Sequence, residues 1–232
     1  MKLLIRPAAE VAIKSKPVRR QQMRHLRQNI RKLLARLDDD IHVEGSWDRV
    51  DVAIPDGRGL AGPVIDELGR IPGISTIQEI GVFPWISMDD VAEQAVAAYA
   101  DRIRGKTFAV RVRRHGNHGF RSIDLERFVG AALFEASEPE GVNLRNPDIE
   151  VRIEVHEDHY HIAHRKHRGA GGYPLGAVET VMTLVSGGYD SSVAAYLMMR
   201  RGLRSHFLFF SLGGPAHEIG VRQVVHYLWD RY

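Results

Sequence analysis

Residues 180–202 constrain the fold of this chain more than any other stretch. Thr180–Val185 is a short apolar run of the kind found in buried strands, and it ends directly in Ser186-Gly187-Gly188-Tyr189-Asp190-Ser191-Ser192. Val193–Arg201 then has the length and composition of a helix, closed by Gly202. Ser205–Leu212 repeats the buried-strand pattern and Glu218–Tyr232 the helical one, so the order is βαβα, the opening of a parallel, doubly wound sheet. Two strands cannot cover both faces or protect their edges, so this stretch is expected to be an incomplete domain.

The loop in this setting has chemical content. Gly187 and Gly188 permit a tight turn whose amides can approach an anion. Ser186, Ser191 and Ser192 add hydroxyl donors, and the helix N-terminus adds partial positive charge. A phosphate or pyrophosphate suits such a cradle; the competing reading is an ordinary glycine turn with Asp190 and Ser191 as helix caps. The GxxxxGK[ST] and GxGxxG spacings are both missing, which excludes a Walker loop and a dinucleotide fingerprint. Asp190 would repel a bare phosphate, so beside one it reads as a Mg²⁺-pyrophosphate or catalytic residue.

Upstream the pattern is different. Lys2–Arg6 is strand-like. Ser15 and Pro17 open a helix over Val18–Leu37 in which Met23, Leu26, Ile30, Leu33 and Leu37 form an apolar stripe, leaving Arg20, Arg24, Arg27 and Arg31 on the remaining surface. Ile41–Glu44 and Arg49–Ile54 read as strands, Val64–Arg70 as a helix and Ser75–Val82 as a strand, which completes a βαββαβ ferredoxin-like unit. Ser87, with Asp90 three residues on, caps a helix reaching about Ile103. Thr107–Arg113 alternates, with Phe108, Val110 and Val112 opposite Arg111 and Arg113, and Ser122–Ala136 is a second helix. Ile149–His156 and His159–His167 form a hairpin across Glu157-Asp158. The glycine-rich residues 169–176 read as a flexible linker. The expected domains are therefore 1–82, 83–168 and, after the linker 169–176, an incomplete 177–232.

Charge is sorted along the chain although the net value is only +3. Residues 1–36 hold eleven Lys/Arg against Glu10, residues 37–101 hold fourteen acids, and residues 102–121 hold seven basic groups and no acid. Basic segments flanking an acidic one suit a surface that tracks a phosphate backbone, or else are solvated helix faces. The absence of cysteine excludes disulfides, thiolate metal sites and a cysteine nucleophile within these 232 residues. No apolar run is long enough for a signal peptide or a membrane span, so a cytoplasmic location is expected. His156, His159, His161, His164 and His167 invite a metal reading, but without cysteine and among basic residues no metal is assigned there. Trp47, Trp85 and Trp229 are expected in cores, and His206 as a structural residue.

Ser186–Ser192 matches the SGGxDS signature of the PP-loop ATP pyrophosphatases. Gly169–Gly176, Asn146–Val155, Gly213–Gln223, Arg70–Ile74 and Val110–Gly116 resemble more narrowly the tRNA 4-thiouridine synthetases, and the likeness extends over essentially the whole chain. The resemblance implies an α+β ferredoxin-like domain and an α/β THUMP domain, whose family definition begins near residue 61, followed by the start of an α/β doubly wound PP-loop domain of the adenine nucleotide alpha hydrolase type. It implies an ATP-dependent sulfurtransferase that adenylates the 4-carbonyl of a tRNA uridine and replaces AMP with persulfide sulfur, with a further role in thiazole and thiamine synthesis. ATP and Mg²⁺ would be cofactors. The tRNA acceptor stem and 3′ end, a cysteine desulfurase and a second copy of the chain would be partners.

By position, Leu184, Val185, Ser186, Gly187, Gly188, Asp190, Ser191 and Ser192 would hold ATP, with Asp190 the essential acid and possible Mg²⁺ ligand. Arg111, Arg113, Arg114, His118, Arg121, Lys166 and Arg168 would meet RNA. The family's later lysine and catalytic cysteine have no counterpart in these residues, so the chain alone is expected to be catalytically incomplete. The alternative is a tRNA-binding module without catalysis.

Overall fold

The computed structural model describes residues 1–232, which form two compact units: Leu3–Ile77 with Lys166–Tyr232, and Gln78–Arg165 with the first two residues. The first unit begins with β1 (Lys2–Pro7), a single helical turn α1 (Ala9–Ala12) and the long helix α2 (Lys16–Leu34). After these come β2 (His42–Gly45), β3 (Val50–Ala53), α3 (Ala61–Arg70) and the start of β4 (Ile74–Pro84). The strand order β2-β3-β1-β4 is the ferredoxin-like arrangement expected from βαββαβ. Met23, Leu26, Ile30 and Leu34 of α2 and Val64 and Leu68 of α3 are buried against Leu3, Ile5, Val50, Val52 and Ile74. The expected α2 stripe is corrected at its end, where Leu34 takes the buried place, Leu33 is half-buried and Leu37 lies beyond the helix, exposed. Pro17 opens α2, whereas Ser15 occupies the N-cap position without a side-chain capping bond.

The basic face of α2 is not all solvated, as the sequence suggested. Arg27 donates to the Gly45 carbonyl at 3.0 Å and Arg31 to the Val43 carbonyl at 2.7 and 3.1 Å. Both acceptors lie on β2, an edge strand, where a backbone carbonyl has no neighbouring strand to pair with. Two of the tryptophan expectations also fail. Trp47 is 54% and Trp229 61% exposed, each with a guanidinium over its ring: Arg19 at 4.3 Å and Arg36 at 5.5 Å. Cation–π contact and partial solvation replace core packing at both.

The second unit contains α4 (Met88–Ile103), β5 (Thr107–Arg114), α5 (Ser122–Ser137), β6 (Gly141–Val142), β7 (Ile149–Val155) and β8 (His159–Arg168), with the strand order β4-β8-β7-β5-β6. Here β5 pairs parallel to β7, and β7 antiparallel to β8 with Ile153 opposite Ile162. Phe108, Ala109 and Val110 are all buried and Arg111 and Val112 both half-buried, so the clean alternation expected of β5 does not hold; consecutive side chains are buried where both faces of a strand are covered. Ser87 Oγ accepts from the Asp90 amide at 3.2 Å, which confirms the expected cap. Tyr160, fully buried, donates its hydroxyl to Asp90 Oδ2 at 2.6 Å; burial, and then that carboxylate, hold the phenol well above its ordinary pKa. Trp85 stacks on Phe120 at 5.1 Å beside this core, as expected.

Residues 169–176, read as a flexible linker, are fastened within the first unit. Gly169 donates to Ser75, Gly171 to Ile74, Tyr173 to Arg200 and Gly176 to Gly202, at 2.7–3.0 Å. A Cβ on Gly172 would collide with the Arg200 carbonyl, so this glycine permits close approach rather than mobility. Beyond it lie β9 (Thr180–Leu184), α6 (Tyr189–Arg200), β10 (Arg204–Leu208) and α7 (Gly214–Arg231). β9 and β10 pair in parallel from Thr180–Arg204 to Leu184–Leu208. They are not buried strands: Met182 is 66% and Leu184 61% exposed. A parallel pair needs further strands and helices on both faces to be covered, and this sheet has two strands. Pro215 in the first turn of α7 starts that helix earlier than expected. No helix is long and apolar enough to cross a membrane.

Candidate nucleotide loop and RNA surface

The loop after β9 is built by three elements. Val185 is buried and donates its amide to the Leu208 carbonyl at 2.9 Å, so the sheet sets where the loop begins. Gly187 takes φ +81°, a left-handed conformation that a side chain would strain, and a Cβ there would lie 3.0 Å from Val221 Cγ2 of α7. Gly188 is the N-cap of α6, and both Ser191 Oγ and Ser192 Oγ donate back to its carbonyl, at 3.0 and 2.8 Å. The Ser186 amide donates to Ser191 Oγ at 3.3 Å, and the Gly188 amide to Ser186 Oγ at 3.4 Å. The caps named in the sequence reading as Asp190 and Ser191 are therefore shifted. Gly188 occupies the cap, and Asp190 is exposed in the first turn, where a carboxylate favours the helix dipole.

His217 was not singled out from the sequence as a site residue. Its Nε2 donates to the Ser186 carbonyl at 2.8 Å, and its ring meets Phe209 edge-on at 5.1 Å. Only the Gly213-Gly214-Pro215 start of α7, two residues before it, hinted that this helix end is shaped for close approach. Altogether, the loop presents first-turn amides without intrahelical acceptors, serine hydroxyls that bond within the loop and would have to turn from the Gly188 carbonyl to meet a ligand, and one exposed carboxylate. Such a donor set fits a polyphosphate, and one carboxylate beside phosphates fits Mg²⁺, which takes few protein ligands.

The basic residues expected at RNA fall in both units. In the second, Arg111 donates to the Leu144 carbonyl, and Arg114 to the Phe120 carbonyl and, at 3.3 Å, to Ser122 Oγ. His118 bonds the His115 carbonyl at 3.1 Å. Arg121 grips Asp124 through two nitrogens, at 2.9 and 3.1 Å, and this guanidinium bond lowers the Asp124 pKa to about 2. Arg113 is exposed, with its charge turned to solvent. Most of these cations thus also serve as braces of the loop after β5, a role that periodicity cannot reveal. In the first unit, Lys166 and Arg168 are exposed and line a hollow with Ser75, Thr76, His167 and Arg200.

Together the fold and the loop define a THUMP-type protein that opens a PP-loop segment. The ThiI ferredoxin-like domain matches residues 2–77, the THUMP domain residues 86–165, and the thiamine biosynthesis protein (ThiI) model residues 176–232. In chain order, the three segments thus match domain models of ThiI-type proteins. Over its full length it is 78% identical to a tRNA sulfurtransferase of Marinobacter nauticus, 47% to one of Pseudomonas aeruginosa and 46% to one of Escherichia coli. It spans about half the length of these curated relatives, 48% in each case. Two solved structures share its fold at 22% identity. One, from Pyrococcus horikoshii, has a TM-score of 0.79 over 100% of this chain and 75% of its own. The other, a 4-thiouridine synthetase in complex with RNA and ATP, has a TM-score of 0.78 over 99% of this chain and 58% of its own.

Proposed function

We propose that this chain supplies the tRNA grip and the ATP anchor of a tRNA sulfurtransferase that converts a uridine near the acceptor stem to 4-thiouridine. The observation that carries the reading is the loop Ser186–Ser192, held exposed at a strand–helix junction by its own serine hydrogen bonds and braced by His217. Relatives that bear the sulfurtransferase name and a structural neighbour with RNA and ATP support it.

In this reading the amides of Gly187 and Gly188 and the hydroxyls of Ser186, Ser191 and Ser192 hold the β- and γ-phosphates, while the backbone at Leu184 and Val185 borders the nucleoside. The uracil 4-oxygen attacks the α-phosphorus and pyrophosphate leaves. Adenylation makes the 4-oxygen leave as AMP when the terminal sulfur of a protein persulfide, R–S–S⁻, attacks C4. A second thiol then attacks the R sulfur of the C4–S–S–R adduct, breaking its S–S bond, forming a disulfide with R and freeing 4-thiouridine, both thiols being supplied from outside these cysteine-free residues. Asp190 positions the reacting groups from the first turn of α6; Mg²⁺, when bound, neutralises phosphate charge. Arg113, Lys166 and Arg168 face solvent and are the cations freest to meet phosphates, with Arg111, Arg114, His118 and Arg121 shaping the neighbouring loop. A cysteine desulfurase as sulfur source, a paired second chain, a contribution to thiamine synthesis and a cytoplasmic setting complete the reading.

Separate titrations of the 232-residue chain with tRNA and with ATP test it. Saturable binding of both is expected. Binding of tRNA without ATP would favour the alternative, a THUMP module that only holds tRNA.

A further inference from the structure

Four imidazoles and a carboxylate converge at one end of the second unit's sheet, beside residues already described but with no part in the chemistry above. His156 follows β7, His159 and His161 lie on β8, His115 follows β5 and Glu154 lies on β7. The ligating atoms of His156, His159 and His161 all lie within 4.8 Å of one another, and so do those of His115, Glu154 and His156. Ring centroids are 4.5 Å apart for His156–His159, 4.9 Å for His159–His161 and 4.6 Å for His115–His156.

The hairpin makes this placement. The His156 amide donates to the His159 carbonyl at 2.8 Å, closing the Glu157-Asp158 turn, and Glu154 sits opposite His161. Strand alternation then sends Tyr160 into the core and sets His159 and His161 on the other face. The nitrogens are therefore close together, with the His156 and His159 rings stacked 7° from parallel and the His161 ring tilted at 49° to His159. Protonated, they would repel one another, so an electrophile shared between them is the arrangement that makes the cluster stabilising.

Two further observations point to a metal ion. Asp158 Oδ1 lies 2.6 Å from His159 Nδ1, the carboxylate–imidazole pairing that fixes a tautomer and leaves Nε2 free to ligate. His115 Nε2 is shielded from solvent without a hydrogen bond, 3.9 Å from Glu154 Oε2, so a second donor pair flanks the shared His156. Tetrahedral Zn²⁺ binds imidazole nitrogen at about 2.0–2.1 Å, so nitrogens now within 4.8 Å of one another would be drawn inward by side-chain rotation on binding. A nitrogen-rich set without thiolate suits zinc-like divalent ions and disfavours Mg²⁺.

We propose that His156, His159 and His161 bind one zinc-type divalent transition-metal ion, with Asp158 orienting His159 and His115 or Glu154 completing the set. The test is calorimetric titration of the metal-free chain with Zn²⁺, with metal content measured after dialysis and thermal melts to verify folding. One Zn²⁺ per chain is expected. The double variant His159→Gln/His161→Gln should lose roughly 100-fold or more in affinity, and Asp158→Asn, at an exposed position, about tenfold. Absence of stoichiometric zinc binding by the parent chain would overturn the site. Unchanged affinity in the folded double variant or in Asp158→Asn would overturn it equally.

Discussion

His217 Nε2 donates to the carbonyl of Ser186 across 2.8 Å, so a side chain from α7 holds the first residue of the loop that ends in α6. The bond ties two helices to one turn, and the loop's shape depends on a residue 31 positions downstream. Replacing His217 by Ala removes one neutral hydrogen bond, a contribution of about 0.5–1.5 kcal/mol. ATP affinity measured by calorimetry should fall by roughly two- to tenfold with tRNA affinity unchanged. Equal ATP affinity in the variant would show that the brace has no bearing on the site.

Gly187 is the position at which the turn tolerates least. Its φ of +81° and the 3.0 Å separation from Val221 Cγ2 mean that Gly187→Val meets backbone strain and a clash together. The conformational part alone costs about 1–2 kcal/mol. A lower melting temperature and loss of ATP binding are expected. A stable variant that binds ATP normally would mean that the left-handed turn is not needed.

Arg113 and Arg114 are neighbours with different tasks. Arg113 is exposed, whereas Arg114 holds Phe120 and Ser122. Charge reversal at Arg113 should weaken tRNA binding, reduce its salt slope by about one and leave the melting temperature unchanged. The same change at Arg114 should lower the melting temperature as well. If Arg113→Glu leaves both affinity and slope intact, the RNA surface lies elsewhere.

Asp124 gives a pH-dependent readout of the same region. Its pKa is depressed to about 2 by the bonds from Arg121, against about 3.9 in an unfolded chain, so the stabilisation is complete above pH 4 and disappears as the pH falls towards 2. NMR titration of the Asp124 carboxyl should give a midpoint near 2 that moves back towards 4 in Arg121→Ala. A midpoint near 4 in the parent chain would contradict the pairing.

The helices, the Ser87 cap and the β7–β8 hairpin were legible because each is fixed by spacing within one element. Met23, Leu26 and Ile30 show which face of α2 is buried, but nothing local shows that Arg27 and Arg31 reach carbonyls of β2. The glycines at 169–176 suggested mobility, yet they are there because Ile74 and Arg200 approach the backbone closely. In the candidate site, Ser186–Ser192 stood out as a contiguous motif set between strand and helix. His217 did not, since its partner is distant in sequence and its role is visible only once α7 packs beside the loop. Buried strands were expected at β9 and β10 from apolar content alone, which does not report how many neighbours a strand has.

The central claim is that the loop beginning at Ser186 receives the polyphosphate of ATP. Amide NMR of the isotope-labelled chain during ATP titration tests it most directly. Saturable shifts concentrated at Ser186, Gly187, Gly188, Ser191 and Ser192, absent with adenosine, are the predicted result. ATP binding that leaves these amides unmoved, or no binding at all, would contradict it.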